Sequence, residues 1–305
     1  MKRLLNYKQC SIVLIANRSN LVDRELKERM HLTFYTADIR DREAISNIFQ
    51  HEGADTCIHL AAKISVADSI QDPDATMDIN VKGTLNVLDA CYNSQVNNFV
   101  FASSAAVYGD IRELPISENH TLSPLSPYGT SKMLAEHHVS SYCKLKKIQN
   151  AVTLRIFNVY GNGQASEADV ITKFAARLSK GMPPVIYGDG MHTRDFISVA
   201  DVTDAFLLSI RTIEESKNNN HKLRSPFVFN IGTGIPTSIN DLAQKMIELF
   251  GLDLQPIYEE LREDDRVILH SYADMTKAKE ILHFVPKKGI ETGLREIIGP
   301  MVLRE

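Results

Sequence analysis

Six stretches of the chain are apolar almost without interruption: Ser11–Ala16, Leu32–Tyr35, Thr56–Leu60, Asn98–Ser103, Ala151–Phe157 and Phe227–Ile231. Short apolar runs bounded by polar residues suit strands buried on both faces of a parallel sheet. Between them, apolar positions recur with helical spacing over Arg42–Gln50, Asp74–Ser94, Pro127–Lys146 and Asp169–Lys180. Strand alternating with helix predicts an α/β fold, a doubly wound parallel sheet. The pattern changes after about Phe157. Gly161-Asn-Gly163 and Met182-Pro-Pro are turn chemistry, and the Asn-rich stretch Glu214–Ser225 reads as a surface loop. A further helix is expected to start near Ser238, with Asp241 at capping-box spacing, and to stop at Gly251. The chain therefore divides into a domain over residues 1–160 and a smaller lobe over 161–305, with Phe227–Ile231 returning to the main sheet. No internal repeat is visible.

Composition narrows the function. A formal net charge of −4 over 305 residues gives no basic field to hold nucleic acid. Cys10, Cys57, Cys91 and Cys143 are scattered, with no Cys-x-x-Cys pair and no accompanying His cluster, so reduced thiols and no metal site are expected. No apolar run reaches the roughly 18 residues of a membrane helix, and the N-terminus lacks a signal-peptide pattern. A cytoplasmic protein is the expectation.

The strongest local signal is Ser126-Pro127-Tyr128-Gly129-Thr130-Ser131-Lys132. Ser126 can cap a helix whose first position is Pro127, where a missing N–H costs nothing. Tyr128 and Lys132 are then i and i+4 on one helical face. An ammonium beside a phenol favours the phenolate, which makes a general base for a substrate hydroxyl. Upstream, the strand Asn98–Ser103 runs into Ser103-Ser104-Ala105-Ala106-Val107-Tyr108-Gly109. Small hydroxyl residues at the carboxyl end of a parallel strand stand where open α/β sheets bind ligands. Ser104 is suited to share the same hydroxyl as Tyr128; the plainer alternative is a serine that caps the next turn.

These two motifs together resemble the catalytic segments of the NAD-dependent epimerase/dehydratase family, the extended short-chain dehydrogenase/reductases, in their UDP-glucose 4-epimerase-like branch. The resemblance runs to the C-terminus and implies a Rossmann-like fold whose NAD-binding domain is residues 1–160 and whose nucleotide-sugar lobe is 161–305. It implies that Ser104, Tyr128 and Lys132 are catalytic. Ala37-Asp38-Ile39-Arg40 resembles the segment that meets the adenine, which assigns Asp38 and Ile39 to the cofactor. His59-Leu60-Ala61-Ala62 resembles the strand end beneath the cofactor, bringing in Leu60, Ala61 and Ala62 with Asn80 and Ser103. For the substrate it implies Asn158 at the diphosphate, Tyr187 near the base, Arg194, Arg262 and Asp265 at the phosphates and ribose, and Ser271 at the sugar. Arginine suits phosphate because its planar donors bind in pairs.

By this resemblance, Tyr128 takes the proton of the sugar 4-hydroxyl while NAD accepts the C4 hydride, leaving a 4-keto sugar that turns and is reduced on its other face. Dehydratases of the family carry an acid just after the catalytic hydroxyl; Ala105 and Ala106 stand there, which favours epimerisation over dehydration, with a dehydratase or reductase of the same family as a further alternative. A homodimer through Asp74–Ser94 and Pro127–Lys146 is also implied, with Val81, Leu85, Leu88, Met133 and Val139 as apolar stripes.

The chain departs from the family at its start. The family opens with a strand and a Gly-x-x-Gly-x-x-Gly turn whose N–H groups hold the pyrophosphate. No such spacing of glycines occurs in the 305 residues. Met1–Gln9 reads as the tail of the first helix and Ser11–Ala16 as the second strand, so the expectation is a chain truncated by about 20 residues. Two strands would then lose a common neighbour, and NAD binding would be weak or absent. Ala16 stands where an acid for the adenosine ribose is common, and Arg18 could favour a 2′-phosphate, though NAD remains the expected cofactor over NADP. The competing reading is a short form that acts as a non-catalytic binding or partner subunit.

Overall fold

A computed structural model describes residues 10–18, 31–161, 169–218, 226–260 and 268–302. Met1–Gln9, Arg262 and Asp265 fall outside the described residues, as do 219–225 of the expected loop. The contact pattern divides the chain into two compact units, each drawn from three segments: Met1–Ser103, Ser126–Thr153 and Ser209–Phe227 in the first, Ser104–Leu125, Leu154–Leu208 and Val228–Glu305 in the second.

In the first unit, β1 (Ile12–Ala16) pairs in parallel with β2 (Leu32–Thr36), Ile12 facing Leu32. Strand β3 (Thr56–His59) pairs in parallel with β4 (Asn98–Ser104), from Thr56 opposite Asn98 to His59 opposite Phe101. The start of β5 (Asn150–Ile156) follows on the far side of β4. Helix α1 (Arg42–Glu52) begins where the Asp41 carboxylate accepts from the Ala44 N–H at 3.0 Å and ends on Gly53, whose φ of 59° is left-handed. After α2 (Val66–Gln71) and α3 (Pro73–Met77), a π-helical turn over Asp78–Lys82 leads into α4 (Gly83–Asn93). Helix α5 is Pro127–Lys144. Ile45, Phe49, Val87, Phe99 and Phe101 form the core with Leu88 and Val139. Those last two, offered by the sequence as part of a dimer stripe, are consumed by the unit's own core.

The sheet is interrupted between β1 and β3. Among the described residues β1–β2 and β3–β4 form separate sheets, and β1 and β3 flank an apolar cleft lined by Val13, Leu14 and Ile15 on one side and Thr56, Cys57 and Ile58 on the other. The expected two-sided burial therefore fails for β1, none of whose five residues is buried, because its flank toward β3 opens into the cleft. By contrast, β4 is buried at five of its seven positions.

In the second unit, β6 (Asn158–Tyr160) lies parallel to β8 (Thr193–Ser198). Strand β10 (Pro236–Ser238) is antiparallel to β8 and β12 (His270–Ser271) parallel to it. Strand β7 (Val185–Tyr187) pairs with β11 (Ile257–Glu259). The end of β5 lies beside β9 (Phe227–Ile231), and Phe157 N–H donates to Ile231 O at 3.0 Å, so the predicted return of this strand is met. Helices α6 (Val170–Leu178), α8 (Ile239–Leu249), α9 (Thr276–Ile281) and α10 (Ile290–Val302) complete this unit with the start of α7 (Val199–Asn218), whose residues from Ser209 onward belong to the first. Helix α8 begins as expected, with Ser238 Oγ accepting from Asp241 N–H at 3.0 Å.

Helix α7 corrects the sequence reading: Glu214–Asn218, taken as loop, belong to its last turns. Its buried positions Val202, Ala205, Phe206, Ser209 and Ile213 do follow helical spacing, but β-branched residues and a polar end obscure it. Gly232-Thr233-Gly234 clasps the fully buried Asp195 of β8. The carboxylate accepts from Thr233 N–H at 2.7 Å, Thr233 Oγ1 at 2.6 Å, Gly234 N–H at 2.9 Å and Ala273 N–H at 3.1 Å. A Cβ on Gly232 would lie 2.4 Å from that carboxylate, so the position requires glycine. The clasp fixes β8, and with it Arg194. No described helix is long and apolar enough to cross a membrane, and no metal-binding cluster occurs among the described residues.

Candidate active site

The chemistry of the first unit gathers at the carboxyl ends of β3 and β4. Ser126 Oγ accepts from Gly129 N–H at 3.1 Å, and Pro127 occupies the first turn, as the cap pattern predicts. Tyr128 and Lys132 are both buried, 9% and 4% exposed. Tyr128 N–H is held by Ser69 Oγ at 3.1 Å. Lys132 Nζ donates to Ala102 O at 2.9 Å and sits 5.0 Å over the Phe101 ring. Burial pushes Lys132 down to about 8, against the attraction of Glu136, which holds it up. At about 8 the ammonium still prevails at neutral pH, so Lys132 stands as a cation one turn from Tyr128.

Ser103 and Ser104 close β4. Ser103 Oγ donates to Glu136 Oε1 at 2.5 Å. Ser104 Oγ accepts from Ala106 N–H at 3.2 Å, capping the single turn Ala105–Val107. The capping role is thus real, and a hydroxyl that accepts one bond still has its proton to give.

His59 ends β3 and is buried. Its Nε2 lies 3.0 Å from Thr84 Oγ1, while Thr84 Oγ1 donates to Asn80 O at 2.6 Å. Since the threonine proton is committed to that carbonyl, the imidazole must be the donor, with its proton on Nε2. Burial first, then Lys132, pushes His59 down to about 3, so it is neutral.

Asn80 sits in the π-helical turn, a geometry often found at functional sites. It accepts from Lys63 N–H at 2.7 Å and donates to Lys63 O and Ser131 Oγ, both at 2.9 Å, tying the segment after β3 to α5. Asp38 follows β2 and accepts from Arg40 N–H, Nε and Nη2 at 2.8–3.0 Å; the Arg40 guanidinium holds its carboxyl below the usual range. Ile39 packs where a Cβ on Gly83 would come within 2.6 Å of it. Leu60 and Ile64 remain 59% and 60% exposed, an apolar shelf beside Ala61 and Ala62. These residues fit a nicotinamide dinucleotide at both ends: Asp38 and Ile39 would take the adenine side, and the shelf with Tyr128 and Lys132 the nicotinamide side.

In the second unit, Asn158, Tyr187 and Arg194 line one pocket, joined by His192, Asp169 and Phe174. Arg194 Nη1 donates to Thr193 O at 2.9 Å, which steadies the guanidinium. Ser271 is buried and pairs with Arg194 across β8 and β12. Asp169 caps α6, accepting from Thr172 N–H at 3.2 Å, and burial pushes its carboxyl up. Four residues were not singled out from sequence: His59, Glu136, Asp169 and His192. Glu136 had a signal, since it stands four residues past Lys132.

A parallel α/β sheet with a buried Tyr-x-x-x-Lys pair packed on the end of one strand defines the class: a dinucleotide-dependent protein of the extended short-chain dehydrogenase/reductase kind. Comparison with known proteins agrees. The model of the NAD dependent epimerase/dehydratase family matches residues 1–232. A protein of Methanocaldococcus jannaschii provisionally named a UDP-glucose 4-epimerase is 37% identical over 271 residues, covering 88% of this chain and 83% of that one. Among solved structures, UDP-glucose 4-epimerase of Thermotoga maritima with UDP-glucose is similar with a TM-score of 0.86 at 31% identity, over 98% of this chain and 92% of that one. UDP-N-acetylglucosamine 4-epimerase of Methanobrevibacter ruminantium, in complex with UDP-N-acetylmuramic acid, has a TM-score of 0.84 at 29% identity, over 97% and 91%. The chain belongs to the NAD-dependent epimerase/dehydratase family.

Proposed function

We propose that this protein is a nucleotide-sugar 4-epimerase acting on UDP-hexoses or UDP-N-acetylhexosamines. The observation that carries the reading is the buried Tyr128–Lys132 pair, with Lys132 locked onto Ala102 O at the end of β4. When bound, NAD supplies the hydride acceptor and donor at the sugar C4. Tyr128 moves the hydroxyl proton, Lys132 holds the charge that makes the phenolate accessible, and Ser104 offers a hydroxyl at the strand end. Asn158, Tyr187 and Arg194 take the nucleotide and its diphosphate. Ala105 and Ala106 offer no acid for dehydration. Coupled assays for interconversion of UDP-glucose with UDP-galactose test the reading; loss of water without epimerised product would overturn it.

The second reading, a cofactor-deficient binding subunit, draws on the lack of a Gly-x-x-Gly-x-x-Gly spacing in these 305 residues. A pyrophosphate without that turn loses several backbone donors. The 305-residue chain is expected to bind NAD weakly, with NADP no better. Calorimetry with each dinucleotide is the check, and micromolar NAD affinity would show that another segment supplies the contacts.

Ser271 bears on the sugar. Small and buried beside Arg194, it leaves room for a 2-acetamido group, so N-acetylhexosamine nucleotides should be accepted alongside hexoses. Selectivity set by one such contact is about 1–3 kcal/mol, a preference and not exclusion. Ser271→Tyr should depress activity on UDP-N-acetylglucosamine more than on UDP-glucose; intact N-acetyl activity in that variant would remove Ser271 as the gate.

A homodimer through Asp74–Ser94 and Pro127–Lys146 is part of the same proposal. Val81, Leu85 and Met133 are only half-buried and remain to form such a face. Light scattering at micromolar concentration should give the mass of two chains, and a monomer there would count against it.

A further inference from the structure

We propose that Glu136 is a positioning residue for the Tyr128–Lys132 pair: its buried carboxylate, one helical turn beyond Lys132, keeps that ammonium charged and fastens the end of β4. The inference rests on the reading of Tyr128 and Lys132 as the proton-moving pair.

Tyr128, Lys132 and Glu136 recur at intervals of four along α5 and share one face. Glu136 is 7% exposed, as deeply set as the other two. The face meets β4 in step. Lys132 Nζ takes Ala102 O at 2.9 Å, and Glu136 takes the hydroxyl of the next residue, Ser103, at 2.5 Å. Ser104 is the residue after that, so two buried polar contacts set the strand end that presents it.

The electrostatic half follows from what surrounds Lys132. A buried ammonium is held charged only by compensating negative charge or strong acceptors. From β4 it faces the Ala102 carbonyl and the Phe101 ring. From β3 it faces His59, which stacks on Phe101 with centroids 5.8 Å apart and is neutral, its Nε2 proton given to Thr84 on α4. Asn80 and Ser131, bonded to each other at 2.9 Å, are uncharged. From its own helix it faces Tyr128 and Glu136. Among the described residues acting on Lys132, Glu136 is the one that raises its proton affinity. Take the carboxylate away and only the Ala102 carbonyl and the Phe101 ring stand against burial: Lys132 loses its proton near neutral pH, and Tyr128 loses the cation beside it.

The test reads Lys132 directly, without substrate or cofactor. Protein labelled with 13Cε-lysine is titrated by NMR, the Lys132 signal being assigned from its loss in Lys132→Arg. Glu136→Gln should lower the Lys132 midpoint by about one unit or more, a tenfold loss of proton affinity. Ser103→Ala, which removes the hydrogen bond and leaves the carboxylate, should leave the midpoint within about 0.3 units. An unchanged midpoint in Glu136→Gln overturns the proposal, as does a shift in Ser103→Ala equal to that in Glu136→Gln, which would assign the effect to packing. If Glu136→Gln does not fold, Glu136→Asp decides: with the charge retained the midpoint should stay near the parent's, and a fall of about a unit would overturn the idea. Because the titration needs no turnover, absent epimerase activity would sink the proposed function and leave this result readable.

Discussion

Replacing Tyr128 with Phe is expected to lower turnover by about 10²–10⁴-fold at saturating NAD, the range for losing a general acid–base. The ring remains to pack: Tyr128 is 9% exposed and its backbone N–H is bound to Ser69 Oγ at 3.1 Å, so the helix start should not move. Substrate affinity should change little, because Asn158, Tyr187 and Arg194, proposed above to hold the diphosphate and base, line a pocket whose lining does not include Tyr128. The signature is a fall in kcat with KM held. Unchanged kcat would remove Tyr128 from the chemistry. A rise in KM alone would make it a binding residue.

The second large effect is on stability. His59 is buried neutral and pushed from 6.5 to about 3, whereas in the unfolded chain it protonates near 6.5. Below that pH the unfolded state binds a proton that the folded state refuses, so stability falls as pH drops from about 6.5 toward 3, and is unaffected by this group above 6.5. Over that window the loss is about 4–5 kcal/mol, of which about 2–3 falls between pH 6.5 and 4.5. Urea unfolding at pH 7 and pH 4.5, on the parent and on His59→Gln, isolates the term from the carboxylates that titrate in the same range. The glutamine variant should lose less stability on acidification. Equal losses in the two proteins would show that His59 is not the acid-sensitive group.

What could be read from the chain was local. The spacing of Tyr128 and Lys132 on one face and the caps at Ser126 and Ser238 depend on residues a few positions apart, and each stands where the pattern placed it. Long apolar strands such as Asn98–Ser104 and Phe227–Ile231 were legible for the same reason. The short strands Asn158–Tyr160, Val185–Tyr187 and His270–Ser271 are two or three residues long, too brief for any periodicity to register. Helix Val199–Asn218 hid behind β-branched residues and a polar end. The tautomer of His59 was out of reach, since it is decided by Thr84 and Asn80 on another element. Equally, nothing local separates a dimer face from a core face, which is why Leu88 and Val139 were assigned to the wrong one.

The way the compact units are assembled has a kinetic side. Each takes its residues from three separated stretches, and the second is incomplete until the stretch beginning at Val228 has been made. No single cut frees either unit, so expressing residues 1–160 alone would leave out Ser209–Phe227 of the first unit and carry Ser104–Leu125 of the second without its partners. Contacts between stretches this far apart pay their loop-closure entropy before any pairing rewards it. Folding of the second unit during synthesis must therefore wait for most of the chain to emerge, and apolar residues such as Phe174 and Phe196, whose core includes Leu242 and Leu294, stay uncovered meanwhile. Such a protein is exposed to aggregation chiefly before it is finished.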